Sequence, residues 1–263
     1  MQNLNSLKSL SIHLIQVDLA WENKEENLKN IQLEIEKISD SADVVILPEM
    51  FSTGFTMQPE LVAEAMTGKT VKWMKEIASK FEIALVGSIV IEEKDKFYNR
   101  LLFITKDGIL ETYDKRHLFS YAGEDKVYTP GIDRKIINYK GWNICLQICY
   151  DLRFPVFIRN HGEYDLLLFV ANWPESRVLA WDTLLKARAI ENICYVAGVN
   201  RVGNDKHDYH HNGHSQLIDF LGEFLIEPQQ VVGAFQFTIE KQPLLDIRKK
   251  LGFLNDADAF TLE

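Results

Sequence analysis

The stretch Asn143-Ile-Cys-Leu-Gln-Ile-Cys149-Tyr-Asp-Leu-Arg153-Phe-Pro155 decides the fold, because it joins a buried strand to an abrupt turn. Its first half, Asn143–Ile148, is largely apolar and predicts a strand, and that pattern breaks at Cys149. A nucleophile at such a break projects beyond the edge of the sheet, and the N–H groups that follow it face its reaction partner. Cys149 is therefore a candidate nucleophile. The competing interpretation is a small buried hydrophobic residue, as most isolated cysteines are.

Strands and helices alternate outward from this stretch in both directions. Apolar runs predict strands at Leu10–Asp18, Asp43–Leu47, Ile83–Ile91, Tyr98–Ile104, Ile109–Tyr113, Leu166–Val170, Ile193–Val199, Ser215–Ile218, Phe224–Ile226 and Gly233–Phe237. Helical spacing predicts helices at Asn23–Ile38, Thr70–Lys80, Phe154–Asn160, Arg177–Asn192 and Gln242–Leu251. With no linker between them, these elements predict an α/β fold of one domain, residues 1–263, in which helices cover sheets.

Composition and charge exclude several classes of protein. The chain is 46% hydrophobic and 25% charged, which is typical of a globular protein with a large core, and its net charge of −9 disfavours nucleic acid. No apolar run reaches the ~20 residues of a membrane span, and Met1–Leu10 lacks the apolar stretch of a signal peptide. Three cysteines, an odd number, are too few for a disulfide framework, and Cys145 and Cys194 resemble core residues. We therefore expect a protein of the reducing cytoplasm.

Two further residues carry charge where catalysis would need it. Glu49 directly follows the buried run that ends at Pro48, at the carboxyl end of a predicted strand, where open α/β sheets place their sites. Lys115 follows a predicted hairpin strand and supplies a positive charge suited to an oxyanion. The competing interpretations are a helix cap or loop residue for Glu49 and a solvated strand end for Lys115. Glu124, in the irregular segment after Phe119, either holds Lys115 or is surface charge.

A carboxylate, an ammonium and a thiol together suit the hydrolysis of an amide. The reaction needs a base to form the thiolate, a cation to hold the tetrahedral oxyanion and an acid to protonate the leaving nitrogen. No Gly-x-Ser-x-Gly motif is present, which argues against a serine hydrolase.

Five segments resemble the nitrilase superfamily of carbon–nitrogen hydrolases, and the resemblance covers nearly the whole chain. They are Leu47–Phe55, Tyr113–Phe119, Ile148–Pro155, Ala171–Pro174 and Trp181–Asn192, which match the glutamate, lysine, cysteine and pocket segments and the following helix. The order of glutamate, lysine and cysteine is also that of the family. The resemblance implies an α-β-β-α sandwich that pairs through a helical face into a homodimer or larger homo-oligomer, without metal or organic cofactor.

The resemblance also implies a role for each residue of the site. Cys149 attacks the amide carbon while Glu49 takes its proton, and the oxyanion lies between Lys115 and the backbone N–H of Tyr150. Glu49 then delivers a proton to ammonia and activates the water that cleaves the thioester. Glu124 matches a second glutamate of the family, which orients Lys115 or the substrate.

The pocket segments resemble the ω-amidase branch, which acts on small dicarboxylate monoamides such as 2-oxoglutaramate and 2-oxosuccinamate. Arg153 is the expected clamp for the carboxylate of such a substrate; otherwise it forms a structural ion pair. Phe119, Tyr121, Asn172 and Trp173 are expected to line the pocket. The alternatives are another linear amide, such as deaminated glutathione or an N-carbamoyl compound, a nitrile, or a non-catalytic binding or assembly protein of the same fold.

Four histidines lie between Lys206 and His214 and raise the question of a metal site. The segment is polar and lies between two predicted strands, so a surface loop is the preferred interpretation. By resemblance, this loop forms a pocket edge or a subunit contact, and no metal is expected.

Overall fold

The computed structural model describes residues 9–38, 42–108 and 110–261. Ile109, where a hairpin strand was predicted to begin, and residues 1–8 of the N-terminal segment lie outside these ranges. In the described ranges, no helix has the length and apolar character needed to cross a bilayer.

The described chain alternates between strands and helices. The strands are β1 Ser9–Gln16, β2 Val44–Ile46, β3 Ala84–Glu93, β4 Lys96–Ile104, β5 Leu110–Asp114, β6 Lys135–Tyr139, β7 Trp142–Ile148, β8 Leu166–Val170, β9 Tyr195–Val199, β10 Val202–Asn204, β11 His210–Asn212, β12 Ser215–Ile218, β13 Phe224–Gln229 and β14 Gly233–Glu240. The helices are α1 Lys24–Glu36, α2 Pro59–Val62, α3 Lys69–Lys80, α4 Glu124–Val127, α5 Val178–Asn192 and α6 Lys241–Leu251.

Two six-stranded sheets form the centre of the molecule. The first has the order β14-β1-β2-β3-β4-β5 and the second has the order β13-β12-β9-β8-β7-β6. In each sheet the three central strands, β1, β2 and β3 or β7, β8 and β9, are parallel, and antiparallel strands flank them. Since the carboxyl ends of neighbouring parallel strands meet at one edge, the residues after β7 and β8 lie side by side.

Alternating burial explains why these sheets stack. On β2, Val44 and Ile46 belong to the core between the two sheets, whereas Val45 packs toward α1 and α3 with Ile31 and Met74. Strands buried on both faces are apolar without interruption, which is the pattern that the sequence shows. The layers are therefore helix, sheet, sheet and helix, and the predicted α-β-β-α sandwich is confirmed.

Helix α5 lies close against the second sheet because β9 carries a glycine at the contact. A Cβ atom on Gly198 would stand 2.6 Å from Leu185 and 2.8 Å from Trp181, closer than real Cβ contacts. The hydrogen at this position lets Trp181 and Leu185 reach the strand, and both side chains are fully buried.

Two predictions from the sequence are wrong in detail. The helix predicted at Phe154–Asn160 does not form, because tertiary bonds hold the segment: Arg159 Nη1 donates to the Glu191 carbonyl and Asn160 N donates to the Asn192 side chain. The predicted loop at 206–214 is partly strand, because β10 and β11 pair as a separate two-stranded hairpin. The bounds of β8 agree with the prediction at both ends.

Candidate active site

Cys149 lies at a strained break directly after β7. Its φ is 45°, in the left-handed region that side chains rarely adopt, and a 3-10 helix, Cys149–Arg153, begins there. Asp151 fixes the break, since Oδ2 accepts hydrogen bonds from Tyr113 Oη at 2.8 Å and from Ile148 N at 3.0 Å. The other oxygen accepts the backbone N–H of His117 at 3.0 Å. The thiol is thereby held at the sheet edge, as the sequence predicts.

Glu49 reaches the same edge from the other sheet, after β2. Its side chain is fully buried, and Oε1 accepts hydrogen bonds from Lys115 Nζ and Asn99 Nδ2, both at 2.8 Å. Oε2 accepts the backbone N–H of Asn172 at 2.9 Å. The next residue, Met50, has a φ of 43°, so the chain turns sharply after the carboxylate. This carboxylate is fixed in direction and desolvated.

Lys115 lies between two buried carboxylates. Its Nζ donates to Glu49 Oε1 at 2.8 Å and to both oxygens of Glu124, at 2.9 and 3.0 Å. Glu124 starts α4 and also accepts the Phe119 N–H at 2.6 Å. The three charged side chains have no solvent exposure. Lys115 is therefore not a solvated strand end, and Glu124 is not surface charge.

Asn99 is a member of this network that the sequence interpretation missed. Its Nδ2 donates to Glu49 Oε1 at 2.8 Å and to Glu124 Oε1 at 3.3 Å, so it links the two carboxylates. A signal for it exists in the sequence. On the strand predicted at Tyr98–Ile104, alternate positions carry Asn99, Leu101 and Phe103, and asparagine is the one polar member of that row.

Burial and charge determine the protonation of the site. Burial raises the pKa of the Cys149 thiol, and the negative charge of Glu49 adds to the effect, while Lys115 opposes it; the pKa lies well above its ordinary value. Burial also raises the pKa of Glu124 against the opposing charge of Lys115. Burial alone would lower the pKa of Lys115, but Glu124 and Glu49 outweigh it, so the lysine keeps its proton. The resting site thus contains a neutral thiol beside an ammonium.

Because the pKa of Cys149 is raised, the rate at which this thiol is alkylated should increase steadily as the pH rises. The reactive form is the thiolate, so the rate of inactivation by iodoacetamide should rise about tenfold per unit between pH 7 and pH 9. Cys145 and Cys194 are fully buried, and burial raises the pKa of Cys145 to about 12, so peptide mapping should find the label on Cys149. A rate that levels off below pH 8 would mean a preformed thiolate.

A pocket of about 350 Å³ opens above the thiol. All the residues predicted to contact substrate line it: Arg153, Phe119, Tyr121, Asn172 and Trp173. Asn172 also supports the catalytic carboxylate, because its backbone N–H donates a hydrogen bond to Glu49 Oε2. Among the described residues, Arg153 has no partner for the structural ion pair that was the alternative; its guanidinium stacks over the Trp173 ring at 5.0 Å.

Other pocket residues were not singled out in the sequence. Phe55 and Met57 line it from the segment after Glu49, Arg177 lines it from the turn before α5, and the β10–β11 hairpin closes another side. Two of the four clustered histidines, His207 and His211, face the pocket. His214 points elsewhere and pairs with Asp182 at 3.0 Å. The histidines therefore do not converge on one point.

The family of the chain follows from comparison with known proteins. Residues 11–236 match the family model described as carbon-nitrogen hydrolase. Because the match covers most of the chain, the protein belongs to the carbon–nitrogen hydrolase family and is a hydrolase acting on amides.

Relatives and solved structures give a closer comparison. The chain is 40% identical to the omega-amidase YafV of Yersinia enterocolitica, over 97% of this chain and 100% of that one. It is 34% identical to the 2-oxoglutaramate amidase of Bacillus subtilis, over 94% and 96% of the two chains. The crystal structure of XC1258 from Xanthomonas campestris, a CN-hydrolase superfamily protein with an arsenic adduct in its active site, superposes with a TM-score of 0.95. That chain is 42% identical, with 97% of this chain and 100% of that one covered.

Proposed function

We propose that this protein is an ω-amidase, which releases ammonia from the distal amide of small dicarboxylate monoamides such as 2-oxoglutaramate and 2-oxosuccinamate. The observation that carries the proposal is a thiol beside a buried Glu49–Lys115–Glu124 network, in a pocket that also contains the guanidinium of Arg153, which has no carboxylate partner among the described residues. The names of the relatives from Yersinia enterocolitica and Bacillus subtilis support the same reaction.

In the acylation half of the reaction, Glu49 acts as the general base. It takes the proton of Cys149 as Sγ attacks the amide carbon, which a neutral resting thiol requires. The carbonyl oxygen becomes an oxyanion held by Lys115 Nζ and the backbone N–H of Tyr150, at the start of the 3-10 helix where such donors lack an intrahelical acceptor. The C–N bond then breaks, Glu49 returns its proton to nitrogen, and ammonia and a thioester result.

In the deacylation half, the same carboxylate activates water. Glu49 takes a proton from the water that attacks the thioester carbon, the C–S bond breaks, and the proton returns to Sγ. The products are the dicarboxylate and the free thiol. Glu124 and Asn99 touch neither the nucleophile nor the pocket, so we assign them to positioning: they hold Lys115 and Glu49 in the geometry that both halves need.

We further propose a cytoplasmic homodimer or larger homo-oligomer, each chain acting as one domain. Three free thiols suit a reducing compartment. On α5, Leu179 and Ile190 are exposed by 78% and 53%, which provides apolar surface for pairing through a helical face.

The test of this function is an ammonia-release screen over ω-amides of dicarboxylates, neutral amides, N-carbamoyl compounds and nitriles. We expect the highest kcat/KM for a 2-oxo dicarboxylate monoamide. Arg153→Gln should raise the KM for that substrate by about tenfold to a hundredfold, since a guanidinium–carboxylate pair contributes ~1.5–3 kcal/mol, and should leave a neutral amide of equal length unaffected.

Other results of the screen would contradict the proposal. A preference for an N-carbamoyl compound or deaminated glutathione would keep the chemistry and change the substrate. Absence of ammonia from every compound would indicate a binding or assembly protein. An equal effect of Arg153→Gln on both amides would remove Arg153 from carboxylate binding.

A further inference from the structure

The pocket contains a second arginine whose positive charge no carboxylate neutralises. Arg177 ends a short 3-10 helix, Glu175–Arg177, and its guanidinium stacks over the Phe119 ring at 5.2 Å. In the part of the chain that the structure describes, neither Arg177 nor Arg153 lies within 4 Å of a carboxylate oxygen. Five other arginines do pair with acids: Arg100, Arg134, Arg188, Arg201 and Arg248. Arg116 and Arg159 instead donate to the backbone carbonyls of Ile132 and Glu191, at 2.9 and 2.6 Å.

Within the described ranges, the side chain of Arg177 makes no hydrogen bond or ion pair that would explain its position. Arg177 is the N-cap residue of α5, but its side chain makes no capping hydrogen bond. Arg177 is held through its backbone instead, because its carbonyl oxygen accepts a hydrogen bond from the Trp173 indole Nε1–H at 2.8 Å. Because a ring covers one face of the guanidinium, the N–H groups along its edge stay available for a planar acceptor such as a carboxylate.

The charged side chains differ between the buried end of the pocket and its accessible part. Lys115 lines the buried end, and its charge is outweighed by the two carboxylates behind it, Glu49 and Glu124. The accessible part holds Arg153, which is exposed, and Arg177, which is half-buried.

Asp205 also lines the pocket, but its Oδ1 already accepts the N–H groups of His207 and Tyr209, at 2.8 and 3.0 Å. An acidic group entering the pocket is therefore repelled from the buried end and attracted toward the two guanidinium groups. A substrate with one amide and one carboxylate is oriented with the amide at Cys149.

We propose that Arg177 is a specificity-determining residue, which together with Arg153 binds the carboxylate of a short 2-oxo acid ω-amide. This inference rests on the proposed function and deepens it, since it assigns two cations rather than one to the acidic end of the substrate. A pocket of about 350 Å³ suits a compact molecule of this kind. The 2-oxo group lies next to the carboxylate and gives the paired guanidinium groups a further acceptor oxygen.

The experiment compares Arg177→Gln and Arg177→Lys with the parent enzyme on 2-oxoglutaramate and on a neutral aliphatic amide of equal length. Arg177→Gln should raise the KM for 2-oxoglutaramate at least tenfold with little change in kcat, while the neutral amide keeps its kcat/KM. Arg177→Lys should recover part of the loss. The matched control is Arg116→Gln, since Arg116 also stacks on a ring, Phe157, but lies outside the pocket; it should behave as the parent.

Each contrary outcome has its own meaning. An acidic-amide preference that survives Arg177→Gln, or an equal loss on both substrates, overturns the assignment of Arg177 and leaves the proposed function standing. A parent enzyme with no preference for the acidic amide overturns the proposed function, and the assignment with it.

Discussion

Cys149→Ala should abolish ammonia release, lowering kcat by roughly 10⁴-fold or more, because no other group in the pocket can form the thioester. The fold should survive, since the side chain is small and faces the pocket rather than the core. Ammonia release at saturating substrate measures the first effect, and thermal unfolding followed by circular dichroism measures the second.

The matched control is Cys145→Ala, which lies four residues earlier in the chain, within β7. Cys145 is fully buried on the face of the second sheet that packs toward α5 and lines no part of the pocket, so this variant should lose some stability and keep its kcat. Full activity in Cys149→Ala would contradict the mechanism. Equal loss in both variants would indicate damage to β7 instead.

Glu49→Gln should lower kcat by about 10³-fold or more, because the change keeps the shape of the side chain and removes its ability to take a proton. The same substitution should increase, not decrease, the reactivity of the Cys149 thiol toward an alkylating reagent. Since the charge of Glu49 raises the pKa of Cys149, the amide should lower that pKa, so iodoacetamide should alkylate the variant faster than the parent at pH 8. Since a misfolded site would also expose the thiol and speed its alkylation, the two effects support the mechanism only in a variant whose thermal unfolding remains cooperative.

Mass spectrometry of Glu49→Gln after mixing with substrate identifies the step that fails. We expect the unmodified mass, because acylation needs the base. A stable acyl-enzyme would contradict this and restrict Glu49 to deacylation. In Glu49→Gln, the side-chain NH2 group replaces an oxygen that accepts a hydrogen bond from Lys115 or from the Asn172 N–H. Two donors then face each other, which should lower the free energy of unfolding by about 1–3 kcal/mol, so thermal unfolding of the variant is measured as well.

Much of the fold could be predicted from local patterns. Apolar runs such as Leu166–Val170 have a strand's length and burial, and helical spacing identified α1, α3 and α5, because both patterns report which side of an element faces the core. The errors arose where tertiary bonds replaced local ones. Residues 154–160 satisfy their polar groups on the end of α5 rather than in a helix, and β10 and β11 pair with each other in a hairpin.

Within the site, the sequence identified the reacting groups but not their support. Glu49, Cys149 and Lys115 could be predicted because each follows a strand and lies in a distinctive segment. The polar position of Asn99 in its strand was a signal, but it did not reveal which residues this side chain contacts. Asn99, for example, is 50 positions from Glu49. Arg177 could not be assigned to the site from local patterns, because its role depends on residues far along the chain.

The strand-to-turn break at Cys149 was determined by the sequence itself, since apolar periodicity and its interruption are properties of a short stretch of chain. The tertiary structure decided that this thiol meets a carboxylate and an ammonium in a pocket that also contains the guanidinium groups of Arg153 and Arg177. Lys115 and Glu49 are 66 positions apart, and they touch because the order of the strands and the stacking of the two sheets bring their ends together. That arrangement is set by packing over the whole core, which no local stretch contains.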